Sequence, residues 1–211
     1  MLLTIVDYGV GNLRSIAKSI EKANSENNLN YSVKVSSEVN DVKKSDKIVL
    51  PGQGSFKACK NGIDNIKGLQ EELNESVLTK KKPIYGICAG MQLFATIGYE
   101  EEKTSGLNWI PGKVIKLDIN KSKLKIPHMG WNELKVENSS KVFKDVIDKN
   151  HAYFIHSYEF IPHEKKTISI TTDYGKDVIA AVSSGNIFGS QFHPEKSQDT
   201  GITILTNFLN L

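Results

Sequence analysis

Short apolar runs alternate with helix-periodic segments through the first half of the chain, and that alternation narrows the available folds more than any other feature. Residues 2–7 (LLTIVD), 47–52 (KIVLPG, closing in a Pro-Gly turn) and 83–87 (PIYGI) read as buried strands. Residues 31–36 (YSVKVS) alternate like a half-exposed one. Between them, 12–23 places Leu13, Ile16, Ala17 and Ile20 on one helical face, 66–80 is helical in pattern, and a further helix is predicted from Ala89 to about Thr96. This rhythm predicts an α/β fold with a mostly parallel central sheet, helices on both faces and functional loops at the strand C-termini. After residue 110 the style becomes antiparallel, with predicted strands at 112–119, 132–136, 153–160, 167–172, 178–184 and 187–194, and a closing helix at 201–209. No linker, repeat or low-complexity stretch interrupts the chain. The expectation is a single domain over 1–211 built on a mixed sheet.

Composition excludes several classes of function. The 211 residues are 39% apolar and 24% charged, ordinary for a globular chain with room for a core. The N-terminal stretch lacks a basic region and Asp7 interrupts its apolar run, so it does not read as a secretion signal. No run approaches the ~20 apolar residues needed to span a bilayer. Two distant cysteines, Cys59 and Cys88, make no disulfide framework. A soluble, cytoplasmic protein is expected. The net charge of +3 could hint at nucleic acid, but Arg14 is the sole arginine, and bidentate guanidinium contacts to phosphate and guanine are therefore nearly absent. Lys80, Lys81 and Lys82 read as a solvated helix end. Neither nucleic acid nor membrane is an expected partner.

The question is why a chain with two cysteines places one of them in YGICAGMQLF, residues 85–94. Gly86-Ile87-Cys88-Ala89-Gly90 has the glycine-x-nucleophile-x-glycine form of a strand-to-helix elbow, in which glycines permit the tight turn and the close approach of neighbouring strands. A helix N-terminus favours a thiolate, and the Ala89 N–H is a natural oxyanion donor. Simple tight packing would use the same residues. Cys59 has no such setting and reads as structural. A nucleophilic cysteine needs a base and a group to orient it. Of the five histidines, His151 and His163 read as surface, whereas His193 is followed by Pro194 and Glu195. In an extended segment i and i+2 share a side, which places the imidazole beside the carboxylate. A surface His-x-Glu pair at a strand end is the alternative.

YGICAGMQLF together with GSQFHPEKS resembles the class I (triad-type) glutamine amidotransferase family, whose fold is flavodoxin-like. The resemblance implies Cys88 as nucleophile, His193 as base and Glu195 as its orienting carboxylate. Within the family, DYGVGNLRS (7–15), LPGQGSF (50–56), KIPHMGWNEL (125–134) and YFIHSYEF (153–160) are similar to the glutaminase subunits of imidazole glycerol phosphate synthase. That likeness implies hydrolysis of glutamine and delivery of ammonia to a cyclase subunit with a (β/α)₈ barrel, in a 1:1 pair serving histidine biosynthesis, without cofactor or metal. It implies an oxyanion hole at Gln53, Gly54 and Ala89, and substrate contacts at Gly54, Gln92, Glu100, Ser157 and Tyr158. It implies a docking face with Val10, Asn12, Trp131, Tyr153 and Lys196. Each has a plainer alternative: Gln92 facing solvent, Glu100 within a solvated acidic run, Ser157 and Tyr158 as ordinary strand residues, Trp131 as core. Two positions depart from the family's habit. Ala89 replaces a bulky aliphatic, and Gln53 stands where PGVG is frequent, in the turn whose peptide is thought to reorient. Rival readings are a triad glutaminase serving another acceptor, a cysteine hydrolase or chaperone in which histidine often follows the cysteine, and a non-catalytic scaffold. The Ala89 position and the retained Cys, His and Glu count against the last two.

Overall fold

The structure is a computed structural model that describes residues 1–119 and 124–211. In chain order the elements are β1 (Leu2–Val6), α1 (Leu13–Glu26), β2 (Ser32–Ser36), α2 (Val39–Lys44), β3 (Lys47–Leu50), α3 (Phe56–Asp64), α4 (Leu69–Asn74), β4 (Ile84–Ile87) and α5 (Ala89–Gln92). There follow β5 (Ile97–Gly98), β6 (Thr104–Ser105), β7 (Gly112–Lys116), β8 (His128–Glu133), β9 (Lys135–Val136), β10 (His151–His156) and β11 (Tyr158–Pro162). The chain closes with β12 (Ile168–Asp173), β13 (Asp177–Ser184), β14 (Ile187–Ser190) and α6 (Gln198–Leu209).

The main sheet runs β2-β1-β3-β4-β14-β13-β12-β9. Its first five strands are parallel, and the pairings β14–β13, β13–β12 and β12–β9 are antiparallel. Strand alternation divides its core in two. Leu3, Ile5, Val49, Tyr85 and Ile87 pack with Ile16 and Ile20 of α1 and Ile204, Leu205 and Phe208 of α6. Val6, Ile48, Leu50 and Ile84 face the other way, against Phe56, Ile63, Leu69 and Leu73 of α3 and α4. Helices therefore cover both faces, as the unbroken apolar strands require. Lys47, only 3% exposed, locks sheet to helix: its Nζ donates to Phe208 O at 2.8 Å and Leu209 O at 2.7 Å, at the C-terminal end of α6 where a cation is favoured. A four-stranded sheet, β11-β7-β5-β6, and a two-stranded ribbon, β10-β8, complete the fold. Among the described residues no helix is long and apolar enough to cross a membrane.

Several boundaries differ from the sequence expectations. The run 153–160 is two strands: the Ser157 carbonyl accepts Leu117 N–H at 2.9 Å, so β10 stays with β8 and β11 joins β7. The predicted helix 89–96 ends at Gln92, because Leu93, Phe94 and Ala95 give their carbonyls to the N–H groups of residues 107–110. The helical pattern at 66–80 becomes α4 followed by a wide turn at Glu75–Thr79. The segment 132–136 divides between β8 and β9, and 112–119 is strand only to Lys116. The run 187–194 is strand only to Ser190.

Candidate active site

Cys88 sits between β4 and α5 with φ of +53°, a conformation that costs a non-glycine residue energy and is retained when the surroundings impose it. Its N–H donates to Ser190 O at 2.8 Å, tying the elbow to the end of β14. The glycines around it serve close approach. Gly86 and Gly189 are paired across β4 and β14, and a Cβ on either would fall within 2.9 Å of Met91, so α5 settles into the trough they leave. Gly90 lies where a Cβ would meet Leu50 O at 2.1 Å, and a Cβ on Gly52 would meet Gly90 N at 1.9 Å. The 51–54 turn therefore runs directly against the start of α5. With α5 only four residues long, the local N–H groups of its first turn, rather than a long helix dipole, supply positive potential there.

His193 follows β14. Its N–H donates to Tyr153 O at 3.0 Å and its carbonyl accepts the Ser197 hydroxyl at 2.6 Å, so backbone position is fixed from both sides. Nδ1 of the ring lies 2.7 Å from Glu195 Oε1, with both side chains buried. The strand pleat does not create this pair. A tight 3₁₀ turn at Pro194–Lys196 does, with proline at its first position curling Glu195 back beneath the imidazole. Burial alone disfavours the His193 cation, but the neighbouring Cys88 sulfur and the Glu195 carboxylate outweigh it and lift the ring to about 9.

Cys88 and His193 open onto a cleft of about 320 Å³. All the sequence-expected substrate positions line it: Gly54, Gln92, Glu100, Ser157 and Tyr158, with Gln53 and Ala89 of the expected oxyanion hole. Gln92 is buried rather than solvent-facing, its Nε2 donating to Tyr158 O at 3.1 Å and Gln191 Oε1 at 2.8 Å. Glu100 stands apart from its exposed neighbours Glu101 and Glu102. It accepts the Phe56 N–H at 2.7 Å at the start of α3, and burial raises its carboxyl above the ordinary carboxylate range. Gln53 is exposed, and Gly54 has φ of +101° with open space where a Cβ would lie. Cys59, expected to be structural, is fully buried beneath this turn and donates its thiol to Gln53 O at 3.7 Å; Tyr8 donates its hydroxyl to Pro51 O. Burial pushes the Cys59 thiol up to about 11. His151 and His163 are exposed, as expected.

Trp131 is 48% exposed, which sets aside the reading of it as core. It faces Tyr153 across the ribbon, their rings 6.1 Å apart and edge-on, and Lys196 Nζ lies 5.6 Å from the Tyr153 ring centre. Met129 and Ile155, also exposed and paired across the same ribbon, extend the apolar patch. Val10 and Asn12 lie on the loop after β1, where Gly11 abuts Pro51 and Asn12 caps α1 by accepting the Ser15 N–H. Sequence reasoning does not single out Gln191, whose Nε2 lies 3.5 Å from Cys88 Sγ. Nor does it assign a role to His128 or His156. They form a buried pair with 2.9 Å between His128 Nδ1 and His156 Nε2.

A thiol beside a carboxylate-oriented imidazole, in a cleft with backbone N–H groups at its rim, has the parts needed to open an amide through a thioester. The chain belongs to the class-I glutamine amidotransferase family, whose profile matches residues 4–211. Within it, the chain is 50% identical over its full length to "Imidazole glycerol phosphate synthase subunit HisH" of Pelagibacter ubique, covering all of that protein. It is 42% identical to the protein of the same name from Brucella suis, over 99% of this chain and 98% of that one. Among solved structures it resembles a glutamine amidotransferase (TM-score 0.71, 16% identity, 99% of each chain). It also resembles a glutamine amidotransferase of Thermotoga maritima (TM-score 0.64, 18% identity, 92% of this chain and 76% of that one). At such identities these two speak for the fold, a mixed α/β sheet with helices on both faces.

Proposed function

We propose that the chain is the glutaminase subunit of imidazole glycerol phosphate synthase, releasing ammonia from glutamine at Cys88 for histidine biosynthesis. The observation that carries the chemistry is the strained Cys88 opening onto the same cleft as an imidazole that Glu195 holds at 2.7 Å. With His193 lifted to about 9, the imidazolium is the resting form at neutral pH and the natural counter-ion of a thiolate. The thiolate attacks the side-chain amide carbon of glutamine, forming the C–S bond and moving the carbonyl electrons onto oxygen. The Ala89 N–H and the peptides at Gln53-Gly54 are the donors for that oxyanion, each good donor contributing about 3 to 4 kcal/mol in the transition state. His193 passes its proton to the departing nitrogen, and ammonia leaves as the thioester forms. The now neutral ring takes a proton from water, whose oxygen attacks the thioester, and glutamate and the Cys88 thiolate are released. Gly54, Gln92, Glu100, Ser157 and Tyr158 hold the substrate.

Ammonia released into water is protonated and lost, so the reading requires an acceptor at the cleft. On this proposal a cyclase subunit with a (β/α)₈ barrel docks 1:1 on the face bearing Val10, Asn12, Trp131, Tyr153 and Lys196, and the pair works in the cytoplasm. Identity of 42 to 50% across whole chains to proteins named as that synthase's subunit supports this acceptor over others. The test is the Cys88→Ala variant assayed with its cyclase. Glutamine-dependent turnover is expected to vanish while added ammonium salt still supports the cyclase reaction. Retained use of glutamine would refute the nucleophile.

A further inference from the structure

We infer that Gln191 is a further catalytic residue: its side-chain N–H donates to the Cys88 sulfur, and the Tyr158 carbonyl, an obligatory acceptor acting through Gln92, fixes that orientation. The direction follows from elementary donor and acceptor rules. A backbone carbonyl only accepts, so the 2.9 Å contact from His156 Nδ1 to Tyr158 O puts the proton on Nδ1. A neutral ring then offers only a lone pair at Nε2, so His128 Nδ1 must be the donor across the 2.9 Å gap to it. His128 Nε2 is in turn an acceptor, served by Asn132 Nδ2 at 3.2 Å, which is itself anchored by donating to Asp173 O at 2.8 Å. Protonating either ring would set two N–H groups against each other or leave one without an acceptor. Burial holds both neutral, His128 down at about 4 and His156 at about 3. Stacking between Phe154 and Tyr174 clamps the His128 ring.

The same logic continues on the far side of Tyr158. Its carbonyl, positioned by His156, also accepts from Gln92, so Gln92 must present its nitrogen there. Both hydrogens of that nitrogen are used, the second going to Gln191 Oε1 at 2.8 Å. Gln191 therefore turns its own nitrogen to Cys88 Sγ, 3.5 Å away. Gln191 and Gln92 are 0% and 4% exposed, so water does not compete for these groups. A donor on the sulfur stabilises the thiolate, whereas a flipped amide would aim a carbonyl oxygen at it. Gln92 acts on the sulfur through Gln191 and is a positioning residue, while His128 and His156 hold the Tyr158 carbonyl to which Gln92 donates.

This inference rests on Cys88 being the nucleophile, and the experiment separates the two. Iodoacetamide alkylation of full-length protein is followed at pH 7 by mass spectrometry of the Cys88 peptide, alongside glutaminase kinetics in the complex with the cyclase. Gln191→Met keeps the volume and removes the donor, and at least about tenfold slower alkylation and a similar fall in kcat are expected, with KM for glutamine little changed. Gln191→Glu, which cannot donate when ionised, is expected to fall with it. A folded Gln191→Met protein that alkylates at the wild-type rate overturns the inference. If the variants fail to fold, NMR of the side-chain amides in the wild-type chain still decides. One Gln191 side-chain N–H proton must be deshielded and must move as Cys88 ionises, and Gln191 N–H protons that do not respond to that ionisation would overturn it. Wild-type protein that neither turns over glutamine nor alkylates at Cys88 would instead refute the nucleophile itself.

Discussion

His193 and the His128–His156 pair are buried imidazoles pushed in opposite directions, and their neighbours explain the difference. His193 faces a thiol and a carboxylate and rises to about 9; the paired rings face each other, aromatic rings and amides, and fall to about 4 and 3. On the proposed mechanism, the His193 proton is the one passed to the leaving nitrogen. Glutaminase activity is accordingly expected to fall as pH rises through about 9, which a pH–rate profile of the complex will check. His193→Asn is expected to abolish the glutamyl adduct on Cys88 seen by mass spectrometry, with Glu195→Gln milder because the imidazole remains. Stability carries opposite signs. The raised folded pKa of His193 contributes stability that is complete below about 6.5 and lost as pH rises through about 9. The lowered values of His128 and His156 contribute stability that is present above about 6.5 and lost as pH falls toward about 4, since the unfolded chain takes up protons that the native pair refuses. Between about pH 6.5 and 5 most carboxylates are still ionised, so a fall in Tm across that window belongs mainly to the pair. Thermal scans are expected to show a flatter pH dependence in His156→Leu than in wild type; an unchanged slope would refute the assignment.

At the scale of elements, the site depends on three segments packed backbone against backbone: the β4–α5 elbow, the 51–54 turn and the end of β14. Gly90→Ala places a methyl group 2.1 Å from Leu50 O, a contact that flexible side chains cannot relieve. Overpacking of this kind costs about 1 to 3 kcal/mol or more, and here it must also open the elbow. A clear drop in Tm together with loss of Cys88 alkylation is expected. What was legible in the sequence follows the same division between local and distant causes. Buried parallel strands announce themselves as apolar runs, and the elbow announces itself through Gly86, Cys88 and Gly90, because both are local. The early end of α5 was not legible, since the N–H groups that take its following carbonyls come from residues 107–110. His193 and Glu195 were paired correctly by spacing but for the wrong reason, a pleat where the chain forms a 3₁₀ turn. Gln191 and His156 escaped because a donor's direction is set by tertiary neighbours, and no local pattern records it.

Across the whole molecule, β10 connects the exposed apolar patch to the site. Tyr153 and Ile155 point their side chains to the patch while their carbonyls lie at the site, Tyr153 O holding the His193 N–H and Ile155 O lying 4.0 Å from Cys88 Sγ. A partner pressing on Trp131 and Tyr153 therefore acts on a strand whose backbone already touches the triad positions. The second adjustable part is the turn at Pro51-Gly52-Gln53-Gly54. Its glycines tolerate a peptide reorientation, and Cys59 and Tyr8 hold its carbonyls from below. A glutaminase that ran without its acceptor would waste glutamine. On the proposed reading, then, the oxyanion donors are incomplete until docking shifts the turn toward its competent form. Glutamate release by the isolated chain is expected to be slow and to rise at least about 100-fold with the cyclase and its ligand, equivalent to about 2.7 kcal/mol of barrier. Trp131→Ala should lose most of that rise while alkylation of Cys88 in the isolated chain stays at the wild-type rate, because on the proposed docking the indole meets the partner and not the sulfur. Steady-state glutamate release with and without purified cyclase measures both. An isolated chain as fast as the complex, or a complex indifferent to Trp131→Ala, would leave β10 a structural strand and the glutaminase constitutive.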